Sequence, residues 1–181
     1  MRGDALRISP LVAAPETTIQ GDVMDKIATC LWFDGNAEEA VRFYTGIFGN
    51  SSIGDITHYG ESMPGKAGEV LTITFHLEGR EFLALNGGPQ YTFSPAISMF
   101  VKCESQEEVD TLWDKLLEGG GSPVQCGWLT DRYGVSWQIV PTVMMKFLTD
   151  KDQTKVQRAM QAMMQMVKLD VKALEAAFNG Q

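Results

Sequence analysis

The chain reads as an α+β fold made of two βαβββ modules that form curved mixed sheets, followed by a helical tail. Three observations predict this. An internal repeat relates two segments at a spacing of 69 residues. In each segment a strand-like run, a capped amphipathic helix and further strands follow one another. From Asp150 onward the pattern turns wholly helical.

The first strand of each module is an apolar run, Ile27 to Phe33 and Ala96 to Lys102. Each leads into a capping signal, Asn36-x-x-Glu39 and Ser105-x-x-Glu108. A short polar side chain there accepts from free first-turn amides, and a Glu three residues on reaches back. The helices carry one apolar face each. Ala40, Phe43, Tyr44, Ile47 and Phe48 match Val109, Leu112, Trp113, Leu116 and Leu117. Gly49 and Gly119 to Gly121 stop them.

Strands follow at Ser51 to Tyr59, Val70 to Leu77 and Arg80 to Leu85, with Glu78-Gly79 as a tight turn. The second module offers Pro123 to Leu129 and Val135 to Val140, joined through Asp131-Arg132-Tyr133-Gly134, and reads as abbreviated. In the tail, Val156, Ala159, Met160, Met163, Met164 and Val167 form a stripe, and Asp170 caps a short helix closed by Gly180. The stripe fits its own core or a subunit interface. The expected division is an arm or leader at 1–23, modules at 24–90 and 91–145, and the extension at 146–181. Met24 is an alternative start.

Composition narrows function. The chain has 181 residues and a formal charge of −8, with 44% hydrophobic and 21% charged residues. That is the profile of an ordinary globular protein. The acidic balance argues against nucleic acid, whose phosphates need Lys/Arg patches. The charge divides unevenly: −9 over Met24 to Met145 and +2 from Lys146 onward. Residues 82–101 lack charge but contain Asn86, Gly87, Gly88, Pro89 and Pro95, so they read as strand–loop–strand and no membrane span is expected. Cys30, Cys103 and Cys126 are widely spaced, without C-x-x-C, which fits a reducing cytoplasm.

Two loop motifs fail as phosphate cradles. No helix follows Leu85-Asn86-Gly87-Gly88-Pro89, and Gly119 to Gly121 ends a helix. No glycine-rich S-adenosylmethionine loop follows the first strand.

Period-2 alternation sorts the strand faces. Leu71, Ile73, Phe75 and Leu77 line one face, and Thr72, Thr74 and His76 the other. His76 then meets Glu81 on the neighbouring strand. A His–Glu pair can act as a general base; a partly exposed edge histidine without a role is the alternative. Ile97, Met99, Val101, Trp137 and Ile139 face the second helix. Ser98, Phe100, Ser136 and Gln138 line the concave face, with Trp128 as a wall. Aromatic walls with a few neutral hydrogen-bonding groups suit a small molecule. Cys126 reads as an inert thiol or a nucleophile without an identifiable base.

These modules resemble the vicinal oxygen chelate superfamily, which includes glyoxalase I, extradiol dioxygenases and bleomycin-resistance proteins. The closer similarity is to its PhnB-like branch, often labelled 3-demethylubiquinone-9 3-methyltransferase. It is carried by Trp32-Phe33-Asp34-Gly35-Asn36-Ala37-Glu38-Glu39-Ala40, Phe43-Tyr44, Phe48-Gly49, Leu85 to Pro89, Cys126-Gly127-Trp128 and Asp131 to Gln138. Ala159 to Met164 and Ala173 to Phe178 resemble the branch's tail. The resemblance implies two metal ligands per module, at positions that carry over to Thr29, Leu83, Ser98 and Gln138. Leu83 has no donor, and the others are weak neutral ligands. A metal-independent protein without a cofactor is therefore expected, binding a small molecule through Thr29, Thr74, Ser98, Phe100, Trp128, Ser136 and Gln138. The alternative is an enzyme of the superfamily (a metal-dependent lyase, isomerase or dioxygenase, a catalyst using His76 with Glu81, or by label alone the methyltransferase). A third reading makes the methionine-rich tail an interaction surface. A homodimer is implied as well.

Overall fold

The structure is a computed structural model, and it describes residues 26–61 and 67–181. The expected arm at 1–23 lies outside the described residues. The elements in chain order are β1 (Thr29–Phe33), α1 (Ala37–Ile47), β2 (Ser52–His58), β3 (Val70–Leu77), β4 (Arg80–Asn86), β5 (Met99–Cys103), α2 (Gln106–Leu117), β6 (Ser122–Pro123), β7 (Trp128–Thr130), β8 (Ser136–Pro141), α3 (Thr142–Leu148), α4 (Gln153–Met164) and α5 (Val171–Asn179). They form two four-stranded mixed sheets, ordered β1-β4-β3-β2 and β5-β8-β7-β6. In each, the first and last strands of the module run parallel and the others antiparallel.

Each βαβββ unit has its four strands, and the second is abbreviated as expected, with two residues in β6 and three in β7. The predicted strand Pro123 to Leu129 is broken in two, because Cys126 and Gly127 take left-handed φ of 62° and 79°. The turn between β3 and β4 uses Glu78 and Gly79 at φ 48° and 75°, which matches the twist of a tight hairpin.

The helix starts differ. Ser105 caps α2, its Oγ accepting from the Glu108 amide at 3.2 Å, while Glu108 reaches back to the Glu104 amide at 2.7 Å. Asn36 does not cap α1 with its side chain. The Ala37 amide instead donates to Asn86 Oδ1 at 3.0 Å, and Asn86 Nδ2 donates to the Val70 carbonyl at 3.0 Å. A residue from β4 thus does the work expected of Asn36.

One core joins the modules. Leu31, Phe33, Ile73, Phe75 and Ala84 of the first sheet share it with Leu129, Trp137 and Ile139 of the second, through Tyr44 of α1, Phe48 at its C-terminal cap, and Trp113 and Leu116 of α2. Phe48 stacks on Trp137 at 5.5 Å. The helix-bearing faces therefore meet, and the helix-free face of each sheet lies away from that core.

The tail packs on its own chain, around Val140, Met144, Phe147, Ala159, Leu169 and Leu174. The helix α3 that opens it has no cap signal in the sequence and was not expected. The predicted stripe divides: Val156 and Ala159 are buried, while Met160, Met164 and Val167 stay exposed. Charge complementarity holds the tail to α2, with Lys168 Nζ 2.8 Å from Asp110 Oδ1.

Candidate functional site

The sequence repeat is not uniform, and this decides the site. Helices repeat at 69 residues, but the strands repeat at 70: Leu31 and Phe33 match Val101 and Cys103 in register and face. The first module has one more residue between strand and helix, with Gly35 there at φ 84°. A one-residue slip moves every side chain to the other face. Counting back from the helix cap makes Thr29 the equivalent of Ser98. It pairs instead with Phe82, on the core-side face. The helix-free neighbour of Leu83 is Cys30, which sequence reasoning passed over. The signal that finds it is the longer Asp34-Gly35-Asn36 connection.

On the second sheet, Phe100, Gln138 and Trp128 stand side by side on β5, β8 and β7. Gln138 Nε2 donates to Ser98 Oγ at 2.8 Å. Ser136 lies beside Thr130 and is buried. Phe100 is 44% exposed. All five residues expected on this face occupy it. The matching row of the first sheet is Cys30, Leu83 and Thr74.

His76 and Glu81 are direct cross-strand neighbours on the helix-free face, with Nε2 and Oε2 4.0 Å apart. The structure brings them together, but outside hydrogen-bond distance.

The carried-over donor set does not fit a metal ion. Leu83 offers no donor and Thr29 is on the opposite face, which leaves only the neutral oxygens of Ser98 and Gln138, joined by a hydrogen bond from Gln138 Nε2 to Ser98 Oγ, too few to offset an ion's lost hydration. Among the described residues, no group of three His, Cys, Asp or Glu side chains converges.

A groove of about 690 Å³ runs between the modules, along the edges of β1 and β5, which among the described residues end their sheets. Phe48, Phe82, Met99 and Trp137 line its apolar part, and Thr29, Ser98 and Phe100 reach it. The other predicted site residues do not.

The Leu85 to Pro89 motif has a structural task. Trp32 Nε1 donates to the Gly88 carbonyl at 2.8 Å, and its ring lies against Gly87. Trp32 also meets Tyr91 edge-on at 5.0 Å. The Asp131 turn is structural too. Its carboxylate is buried and accepts from Tyr44, Trp137 and the amides of Tyr133 and Val135. Burial pushes its pKa up, against the pull of those donors. Cys103 is buried, and desolvation pushes its thiol up to about 12.

Comparison with known proteins bears on residues 25–140, which match the family described as 3-demethylubiquinone-9 3-methyltransferase. A PhnB protein from Bacillus cereus with the same label is 43% identical, at a TM-score of 0.60, covering 65% of this chain and 99% of its own. Protein PA1353 from Pseudomonas aeruginosa is 24% identical at a TM-score of 0.53, covering 64% of this chain and 96% of its own, which speaks for the fold alone. No curated protein matches the chain. A family match across most of the chain, on two βαβββ modules in the expected order, decides membership: the chain belongs to the 3-demethylubiquinone-9 3-methyltransferase family, the PhnB-like branch of the vicinal oxygen chelate superfamily.

Proposed function

We propose that the protein binds a small molecule on the helix-free face of its second sheet, without a metal, and that a second copy of the chain completes the site. The row Phe100, Gln138 and Trp128 carries this reading. Two aromatic groups flank an amide whose Nε2 is already used on Ser98, leaving Oε1 as an acceptor. A planar apolar ligand with a hydrogen-bond donor suits that arrangement.

Support for a homodimer comes from the sheet edges. β1 and β5 each end their sheet order. Ile27 and Ile97, just before them, are 88% and 74% exposed. Edges that no described strand pairs, beside exposed apolar side chains, favour strand pairing with another chain. A cytoplasmic setting is proposed on the three free cysteines. No helix among the described residues is long and apolar enough to cross a membrane.

The test is native mass spectrometry joined to a thermal-shift screen of planar aromatic compounds. A dimer is expected, with hits lost in Phe100→Ala and Gln138→Ala. A monomer, or hits that both variants keep, overturns the reading.

A second reading rests on His76 and Glu81 facing each other at 4.0 Å. If they form a general base, closure on substrate must shorten that distance. His76→Ala then abolishes turnover of any substrate found; unchanged turnover removes the pair.

A further inference from the structure

The tail touches the second module next to the row that carries the proposed site. Cys126 and Gly127 precede Trp128, both with left-handed backbone. Their amides find acceptors in the tail: Cys126 N–H donates to the Met166 carbonyl and Gly127 N–H to the Val167 carbonyl, each at 2.8 Å. The Gly127 carbonyl in turn accepts from the Ile139 amide of β8 at 2.8 Å. Leu169, fully buried, packs where Gly127 lacks a side chain; a Cβ there would sit 3.0 Å from its Cδ1.

The same turn is fixed from the other side by Gln106 at the start of α2. Its Nε2 donates to the Leu169 carbonyl at 3.1 Å, and its Oε1 accepts from the Val171 amide at 2.8 Å. One side-chain amide thus pairs with the tail backbone as a neighbouring strand would. Lys168 adds its ion pair with Asp110.

We infer that the α4–α5 turn, residues 166–170, is a positioning element for Trp128, held by Gln106 and Leu169, so that the tail sets the wall of the ligand face. Cys126 is disfavoured at a left-handed φ and Gly127 is permissive, so the pair does not hold that direction by itself. The two hydrogen bonds from the tail and the Leu169 contact supply it. Gln106 and Leu169 act through the backbone and touch no ligand. The importance of Trp128 for binding rests on the reading above; its placement by the tail does not.

The test is 19F NMR of the full chain labelled with 5-fluorotryptophan. The chain has four Trp residues, and the Trp128 signal is identified by its loss in Trp128→Phe. In Gln106→Ala and Leu169→Ala the Trp128 resonance is expected to shift or split, with Trp32 and Trp137 in place. Leu169→Met, which keeps the volume, should restore it. A Trp128 signal unmoved in folded Gln106→Ala overturns the inference, whatever happens to the melting temperature. If the signal moves but Trp128→Ala leaves every screening hit intact, the positioning stands and the ligand face falls.

Discussion

Tyr44 of α1 donates its hydroxyl to Asp131 Oδ2 at 2.8 Å, across 87 residues of sequence and across the two modules. The same oxygen accepts from Trp137 Nε1 at 2.8 Å. Oδ1 accepts from the Tyr133 and Val135 amides at 2.8 and 3.0 Å. A buried carboxylate is tolerated when its lone pairs are filled, and here all the donors come from protein. Tyr133 adds an outer tie, its hydroxyl donating to Glu39 Oε1 at 2.9 Å.

Tyr44→Phe removes one donor and leaves the ring in place. A hydrogen bond to a charged group contributes about 1.5–3 kcal/mol, so a fall in unfolding free energy of that order is expected by urea titration. Stability within a few tenths of a kcal/mol of the parent means that the module contact does not depend on this bond.

The raised pKa of Asp131 has a pH signature. In the unfolded chain an aspartate titrates at about pH 3.9; in the fold burial puts it higher. The native state then holds the proton more tightly. This group's contribution is full below the unfolded value and is lost as pH rises through the folded one. Urea midpoints of the parent and Asp131→Asn, measured from acidic to neutral pH, should show the parent losing ground relative to the variant on the way up. The reverse slope would mean that the four donors outweigh burial.

Gly87→Ala places a Cβ well inside contact distance of the Trp32 ring. The ring must leave the Gly88 carbonyl or the loop must shift. Overpacking of this kind costs about 1–3 kcal/mol. A lower melting temperature and a changed Trp32 environment in 19F spectra are expected; an unchanged spectrum would show that the ring is not seated there.

Thiol labelling separates the cysteines. Cys103 is buried with its thiol pushed up to about 12, so it should stay unmodified in the native state. Cys30 is exposed on the sheet face, and although partial burial raises its thiol too, it should react first. Cys30→Ser should remove the fast phase of a disulfide-exchange assay. A fast phase that survives places the reactive thiol elsewhere.

The sequence by itself determined most elements of this protein, but not α3 or the break between β6 and β7. Strand alternation and helix periodicity are local, so Ile73, Phe75, Trp137 and Ile139 could be assigned to the core side, and they are there. Ser98, Phe100, Ser136 and Gln138 on the helix-free face of the second sheet follow from the same alternation. Tertiary structure decided what depends on distant partners. Asn86 caps α1 in place of Asn36, because the amide of Ala37 lies against β4. Asp131 is a hub as well as a turn residue, because α1 brings Tyr44 to it. Thr29 left the predicted face because one extra residue separates β1 from α1, and the period of a strand turns one residue into a change of side. Alternation fixes which residues share a face; the length of the connection and the packing of the modules fix which face that is.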